Sequence, residues 1–337
     1  MYLACLLLMP LLEAAVEVVA AEYKLPAQTG PVQITRFDWI DVIRDRKVPV
    51  KIYSPQAGKG PLPVLLFSHG LGGSREGYEY LGRAWAGHGY ISVHLQHAGS
   101  DSAVWQSGGM QGAMAALRRA AANPANATNR PMDVSFVLDR LEQLNRSDSG
   151  FKGRLDLTRV GLAGHSFGAF TTLGVAGQVF LGTSGERLCF ADPRVKAAIA
   201  MSSPLPAIRT PAALDRAFGK IRIPILHMTG TADASPIGGT GAAERRLPFD
   251  HISGADQFLI TLQGADHMVF AGRYASRTPE RERVFEDRIC ECSLVFWEAF
   301  LKQDARAGAW LAGGGFGRQL GGDGTFEVKP ATRRIEP

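Results

Sequence analysis

"RVGLAGHSFGAF", Arg159 to Phe170, is the stretch on which the fold turns. It carries the pattern G-x-S-x-G at Gly164, Ser166 and Gly168. A pattern this short arises by accident in a chain with 39 glycines, so its weight comes from what flanks it. "RVGLA" reads as a buried strand, and Phe167 onward reads as a helix rich in small residues. A strand, a sharp turn and a helix in that order place the serine hydroxyl at a helix N-terminus. Free N–H groups there favour a developing negative charge.

Moving outward, strand and helix patterns alternate. "VQITRFDWIDV" and "KVPVKIYSP" read as an antiparallel hairpin around "RDRK". "LPVLLFSHG" (62–70) is a continuous apolar run of the kind seen in strands buried on both faces. "GYEYLGRAWAGHG" reads as a helix, "YISVHLQHAGS" as a strand, and "PMDVSFVLDRLEQLN" as a helix opened by Pro131. Three further strands lie in "VKAAIAMSSP", "IPILHMTGTAD" and "QFLITLQGADH", with a helix over "RVFEDRICECSLVFWEAFLKQ". This alternation predicts an α/β fold, a mostly parallel central sheet with helices on both faces.

Two segments interrupt the rhythm. Residues 99–130 are too long for a plain connection and are expected to form a cap-like insertion over a site. The glycine-rich tail, 313–337, is expected to be irregular, with "TFEVKP" adding a short edge strand. The main domain then spans 23–312. Residues 1–22 have an apolar core and a small-residue run at Val18-Val19-Ala20-Ala21, but Glu13 and Glu17 interrupt them and a basic start is missing. They read as a truncated or mis-started secretory signal, which points to a secreted or periplasmic protein, with a short packed helix, and so a cytoplasmic protein, as the other reading. Their apolar run is too short for a transmembrane segment.

The chemistry follows from the order of residues along the chain. A serine hydroxyl is a poor nucleophile until a base takes its proton. In this strand order the base belongs after the last parallel strand, where "QFLITLQGADHMVF" places His267. Of the other histidines, His165 adjoins the serine and is expected to point away from the attack site. His69, His94, His97 and His227 sit in or just after strands, His88 at a helix end, and His251 in a loop. The acid that orients the base is expected between Ser166 and His267 at a strand's C-terminal end, which selects Asp233 in "ILHMTGTADASP". Asp266 is too close to His267 in sequence to reach its ring, and Asp192 and Asp256 precede their strands.

An oxyanion hole requires two backbone N–H groups. One is expected from Phe167, the residue after the nucleophile. The other is expected from Leu71, in the glycine-rich loop "SHGLGGS". Trp105 and Met110 in the insertion are candidate substrate-binding residues, and "RRLPFDHI" (245–252) is a second candidate wall.

"LFSHGLGG", "GHSFGAF" and "GADHMVF" resemble the motifs of the α/β-hydrolase superfamily, in its platelet-activating-factor acetylhydrolase-like and dienelactone-hydrolase-like branch. The resemblance covers roughly residues 33–303. It implies Ser166 as nucleophile, His267 as base, and Leu71 and Phe167 as oxyanion donors. Two departures stand out. In platelet-activating-factor acetylhydrolases the acid follows the strand after the elbow helix, whereas that strand here ends "AMSSP". Dienelactone hydrolases use a cysteine nucleophile where this chain has serine.

The expected activity is therefore that of a serine carboxylester hydrolase, an esterase or lipase-like enzyme acting through an acyl-enzyme on a small-molecule, lipid or polymer ester. A serine peptidase or amidase of the same fold is the first alternative, and a silent binding module the second. The net charge of +5 comes from scattered basic residues with no aromatic-interleaved cluster, so nucleic-acid binding is not expected. No cofactor or metal is expected either, since no ligand cluster appears. Cys189, Cys290 and Cys292 are compatible with one disulfide from Cys189 or with free thiols.

Overall fold

The computed structural model describes residues 23–332 except 57–59, 107–108, 183 and 273–277. The amino-terminal segment read as a signal lies outside the described residues.

A hairpin of β1 (Val32–Asp41) and β2 (Arg46–Pro55) leads into β3 (Leu62–Ser68), α1 (Glu79–Gly87) and β4 (Ile91–Leu95). The insertion supplies α2 (Ala103–Gln106) and α3 (Gly109–Ala122), followed by the long α4 (Pro124–Ser147) and β5 (Leu155–His165). Next come α5 (Phe167–Ala176), a small hairpin of β6 (Val179–Leu181) and β7 (Arg187–Cys189), β8 (Val195–Met201) and α6 (Pro211–Phe218). The carboxyl-terminal part contributes β9 (Ile225–Ala232), α7 (Leu247–His251), β10 (Gln257–Asp266), α8 (Pro279–Phe300), α9 (Ala305–Ala312), α10 (Gly315–Leu320) and β11 (Gly324–Lys329).

Nine strands form one sheet in the order β1-β2-β4-β3-β5-β8-β9-β10-β11. The six from β4 to β10 run parallel, and β1, β2 and β11 make the antiparallel edges. This is the α/β-hydrolase fold. Strand β3 shows why an unbroken apolar run suits a central strand. Leu65 and Phe67 pack on one face with Trp297 of α8, while Val64 and Leu66 pack on the other with Val134 and Leu138 of α4. Each such side chain contributes about 1.5–3 kcal/mol on burial, so both faces must stay covered.

From β3 the chain steps to β4 on one side, whereas from β5 it steps to β8 on the other. A crevice opens at the carboxyl ends of strands where the order reverses in this way. Ser166 and the 69–73 loop both lie there, at the ends of β5 and β3.

Two elements differ from expectation. Helix α4 begins at Pro124, seven residues before Pro131, because the Asn123 side chain accepts from the Ala125 N–H and Pro124 occupies the first turn. Pro131 therefore sits inside the helix, between the buried side chains of Arg130 and Asp133. The tail is less irregular than its glycines suggest. It holds the helix α10, while β11 is the expected edge strand, antiparallel to β10. The thiols of Cys189, Cys290 and Cys292 are free.

Candidate active site

Ser166 stands between the end of β5 and the start of α5 with φ 56° and ψ −118°. This conformation is costly for a residue with a Cβ, by about 1–3 kcal/mol, and the surrounding contacts must hold it. Its N–H donates to the Met201 carbonyl at 2.8 Å. The two flanking glycines are required by close approach. A Cβ on Gly168 would overlap the Ser68 carbonyl, and one on Gly164 would strike the Gly168 backbone.

His267, in the turn after β10, brings Nε2 to 2.9 Å from Ser166 Oγ. Its Nδ1 lies 2.8 Å from Asp233 Oδ1. Asp233 follows β9 and is fully buried. Its carboxylate also accepts from Ser202 Oγ at 2.6 Å and from Thr229 Oγ1 at 2.9 Å. With Nδ1–H directed at Asp233, Nε2 is left to accept the serine proton, the tautomer that base catalysis needs. Asp266 does not compete. Its carboxylate accepts from the N–H groups of Met268 and Val269 at 2.9 and 3.2 Å.

Sequence reasoning missed several partners of this relay. Arg245, 3% exposed, donates to the carbonyls of Ser202, Ser203 and Asp233 at 2.9, 2.8 and 3.1 Å. Its Nη2 stands 3.5 Å from Asp233 Oδ1. The guanidinium thus offsets the buried carboxylate from behind, and burial in turn lowers its own pKa. The 245–252 segment does not line the cavity described below. Ser202 directly follows β8, where the family resemblance had pointed to a carboxylate. A φ of 53° turns its hydroxyl onto Asp233.

His165 also departs from expectation. Rather than turning away, its ring lies 4.8 Å from that of His267 and helps line the cavity. Burial pushes its pKa well below the usual value, so it adds no cation beside His267. Tyr78 Oη lies 2.8 Å from His165 Nδ1 and accepts from the Gly70 N–H at 3.2 Å.

The relay opens into a cavity of about 1290 Å³. Trp105, Leu117, Phe170, Ile237 and Met268 are among its apolar walls, and Glu76 and Arg118 are the charged lining residues among those described. Leu71 and Phe167 both face it, and among the described residues neither N–H has an acceptor. Trp105 lines the cavity and also donates from Nε1 to the Gly72 carbonyl at 2.8 Å, so it braces the loop it covers. Met110 falls on α3, but its side chain lies outside the described residues; Met114, one turn on, reaches the cavity instead. Among the described residues no three His, Cys, Asp or Glu side chains converge as metal ligands, and no helix is long and apolar enough to cross a membrane.

Comparison with known proteins adds two findings. Residues 35–117 match the family described as platelet-activating factor acetylhydrolase, isoform II. The chain is also 28% identical over 152 residues to the platelet-activating factor acetylhydrolase of Cavia porcellus, covering 38% of this chain and 34% of that one. The match therefore spans about a third of that relative's length. The chain thus resembles the acetylhydrolase-like branch of the α/β-hydrolases, and both similarities support a hydrolase. The family match takes in the loop at 69–73 and most of the insertion, and it ends before Ser166, Asp233 and His267.

Proposed function

We propose that this chain, an α/β-hydrolase fold with acetylhydrolase-like similarity over part of its length, is a serine carboxylester hydrolase. One observation carries the reading: the unbroken relay from Ser166 through His267 to Asp233 at the floor of a large apolar cavity. Ser166 Oγ attacks the ester carbonyl as His267 Nε2 takes its proton. Asp233 holds the imidazole in place and steadies the imidazolium. The tetrahedral oxyanion is met by the N–H groups of Phe167 and Leu71, which are free to receive it. Collapse of the intermediate breaks the ester C–O bond, and the alcohol leaves with the proton from His267. Water then attacks the acyl-serine by the same route, releasing the acid and restoring Ser166.

The walls indicate the substrate class. With apolar side chains around most of the cavity, a neutral ester with a sizeable apolar acyl or alcohol group fits best. Among the described residues the peptidase reading lacks a carboxylate placed to bind a substrate amine, since the lining acid Glu76 is engaged by Arg36 at 2.9 and 2.8 Å.

A fluorophosphonate probe tests the reading directly. Labelling is expected in the native chain and absent in Ser166→Ala, with hydrolysis of p-nitrophenyl esters reduced by about 10⁴-fold or more in that variant. Ester turnover that survives Ser166→Ala, or anilide turnover without ester turnover, would overturn it.

A further inference from the structure

Behind the proposed oxyanion hole lies a buried polar cluster that the relay does not use. Ser68 Oγ is 2.9 Å from His97 Nε2, and His97 Nδ1 is 2.9 Å from Asp133 Oδ2. Asp133 is also bound by Arg46 at 2.7 and 2.8 Å and by Arg44 at 2.9 Å. Beside it sits Arg130, with no exposed surface at all.

Every arm of Arg130 is engaged, and each reaches a different element around the hole. Nη2 donates to Ser68 Oγ at 3.1 Å and to the His69 carbonyl, both at the foot of the loop that carries Leu71. Nε donates to Thr171 Oγ1 at 3.0 Å, and that hydroxyl donates in turn to the Phe167 carbonyl at 3.0 Å. The guanidinium carbon lies 4.6 Å from the centre of the Phe167 ring. Nη1 donates to Ser100 Oγ at 2.9 Å, and the Ser100 carbonyl accepts from the Gly72 N–H at 2.9 Å. One rigid, planar group therefore touches both sides of the gap between the Leu71 and Phe167 N–H groups.

We propose that Arg130 is a positioning residue that sets the spacing of the two oxyanion donors. This rests on the esterase reading above. The geometry of the fork explains why arginine stands here. Its donors lie in one plane at fixed angles, so they fix the mutual placement of the elements they bind. A neutral side chain of similar size would fill the volume without holding the carbonyl of His69 or the hydroxyl of Thr171. Burying the charge is costly, and Asp133, one turn along α4, with its His97 and arginine contacts, makes it tolerable. Spacing matters because a hole catalyses only if its donors reach the oxyanion as it forms, and an error of about 1 Å costs about 10²-fold.

The test compares Arg130→Lys and Arg130→Met with the native chain, using p-nitrophenyl esters and an alkylboronic acid as a transition-state mimic. Lysine keeps the charge but not the fork. For folded Arg130→Lys we expect kcat to fall by about 30- to 100-fold and KM to change by less than about threefold. Boronate affinity should fall in step with kcat/KM, while the shape of the pH–rate profile stays unchanged. Thr171→Val, which removes one arm, covers the case in which both arginine variants fail to fold. It should lower kcat by about 3- to 10-fold at unchanged KM. A kcat within threefold of native in the folded variants, or a loss matched by the unfolded fraction alone, would overturn the proposal. Absence of Ser166-dependent turnover in the native chain would instead sink the esterase reading, so the two failures are distinguishable.

Discussion

The molecule contains two Ser–His–Asp chains with nearly the same dimensions. Ser166–His267–Asp233 is linked at 2.9 and 2.8 Å, and Ser68–His97–Asp133 at 2.9 and 2.9 Å. Their settings differ. Ser166 is half-buried on a strained turn facing the cavity, and its neighbour's N–H is free. Ser68 at the end of β3, His97 just after β4 and Asp133 on α4 are all buried, with Arg130 already donating to Ser68 Oγ. The comparison separates two jobs that the same hydrogen bonds perform. Where a substrate carbonyl can approach, the relay can move a proton. Where the hydroxyl and the carboxylate are already engaged by buried protein groups, it holds elements together.

Three experiments would break or sharpen the contrast. The largest effect is expected from the aspartates. Asp233→Asn should lower kcat by about 10⁴-fold, since the amide permits the wrong imidazole tautomer. Asp133→Asn should instead cost about 3–5 kcal/mol of stability by leaving the buried guanidinium groups uncompensated. Denaturant titration and ester kinetics on both variants would show it; equal loss of stability in the two would erase the distinction.

The second effect is on acid stability. Burial holds His97 neutral, its pKa pushed down to about 4, and acts likewise on His94, pushed to about 3, and on His227, pushed to about 4. Their unfolded values lie near 6.5. Between about 6.5 and 4 the unfolded chain binds protons that the folded chain refuses, so stability is fully present above 6.5 and falls with pH below it. Each of these histidines removes about 1.4 kcal/mol per pH unit across that interval. A denaturation midpoint unchanged from pH 7 to 5 would show that protons reach these rings in the folded state.

The smallest effect is expected from Ser202→Ala. It takes one of two hydroxyl donors from Asp233, for an expected loss of about 3- to 10-fold in kcat and about 1 kcal/mol in stability. No change in kcat would mean that Thr229 and His267 suffice to hold the carboxylate.

Much of this was legible in the chain. Ser166, Asp233 and His267 come in that order because each follows the carboxyl end of a parallel strand, and strands buried on both faces announce themselves as apolar runs. The start of α4 was not legible, because Pro131 looks like a first-turn residue and only the Asn123 cap extends the helix upstream. Arg245 was not legible either. Beside Arg246 it looks like half of an ordinary basic pair. The structure buries Arg245 behind Asp233 and leaves Arg246 outside, paired with Asp250 at 3.0 Å and Glu327 at 3.0 Å.

From sequence alone came the alternating architecture, the turn at Ser166 and the chain order of Ser166, Asp233 and His267. These follow from local rules of periodicity, turn chemistry and strand ends. Which of two Ser–His–Asp chains faces a cavity, and which arginines lie buried among carbonyls and carboxylates, only the tertiary structure decided. The reason is electrostatic: a buried charge is tolerated or not according to partners 30 to 90 residues away, as Arg130 with Ser68 and Arg46 with Asp133 show, and no local pattern records them.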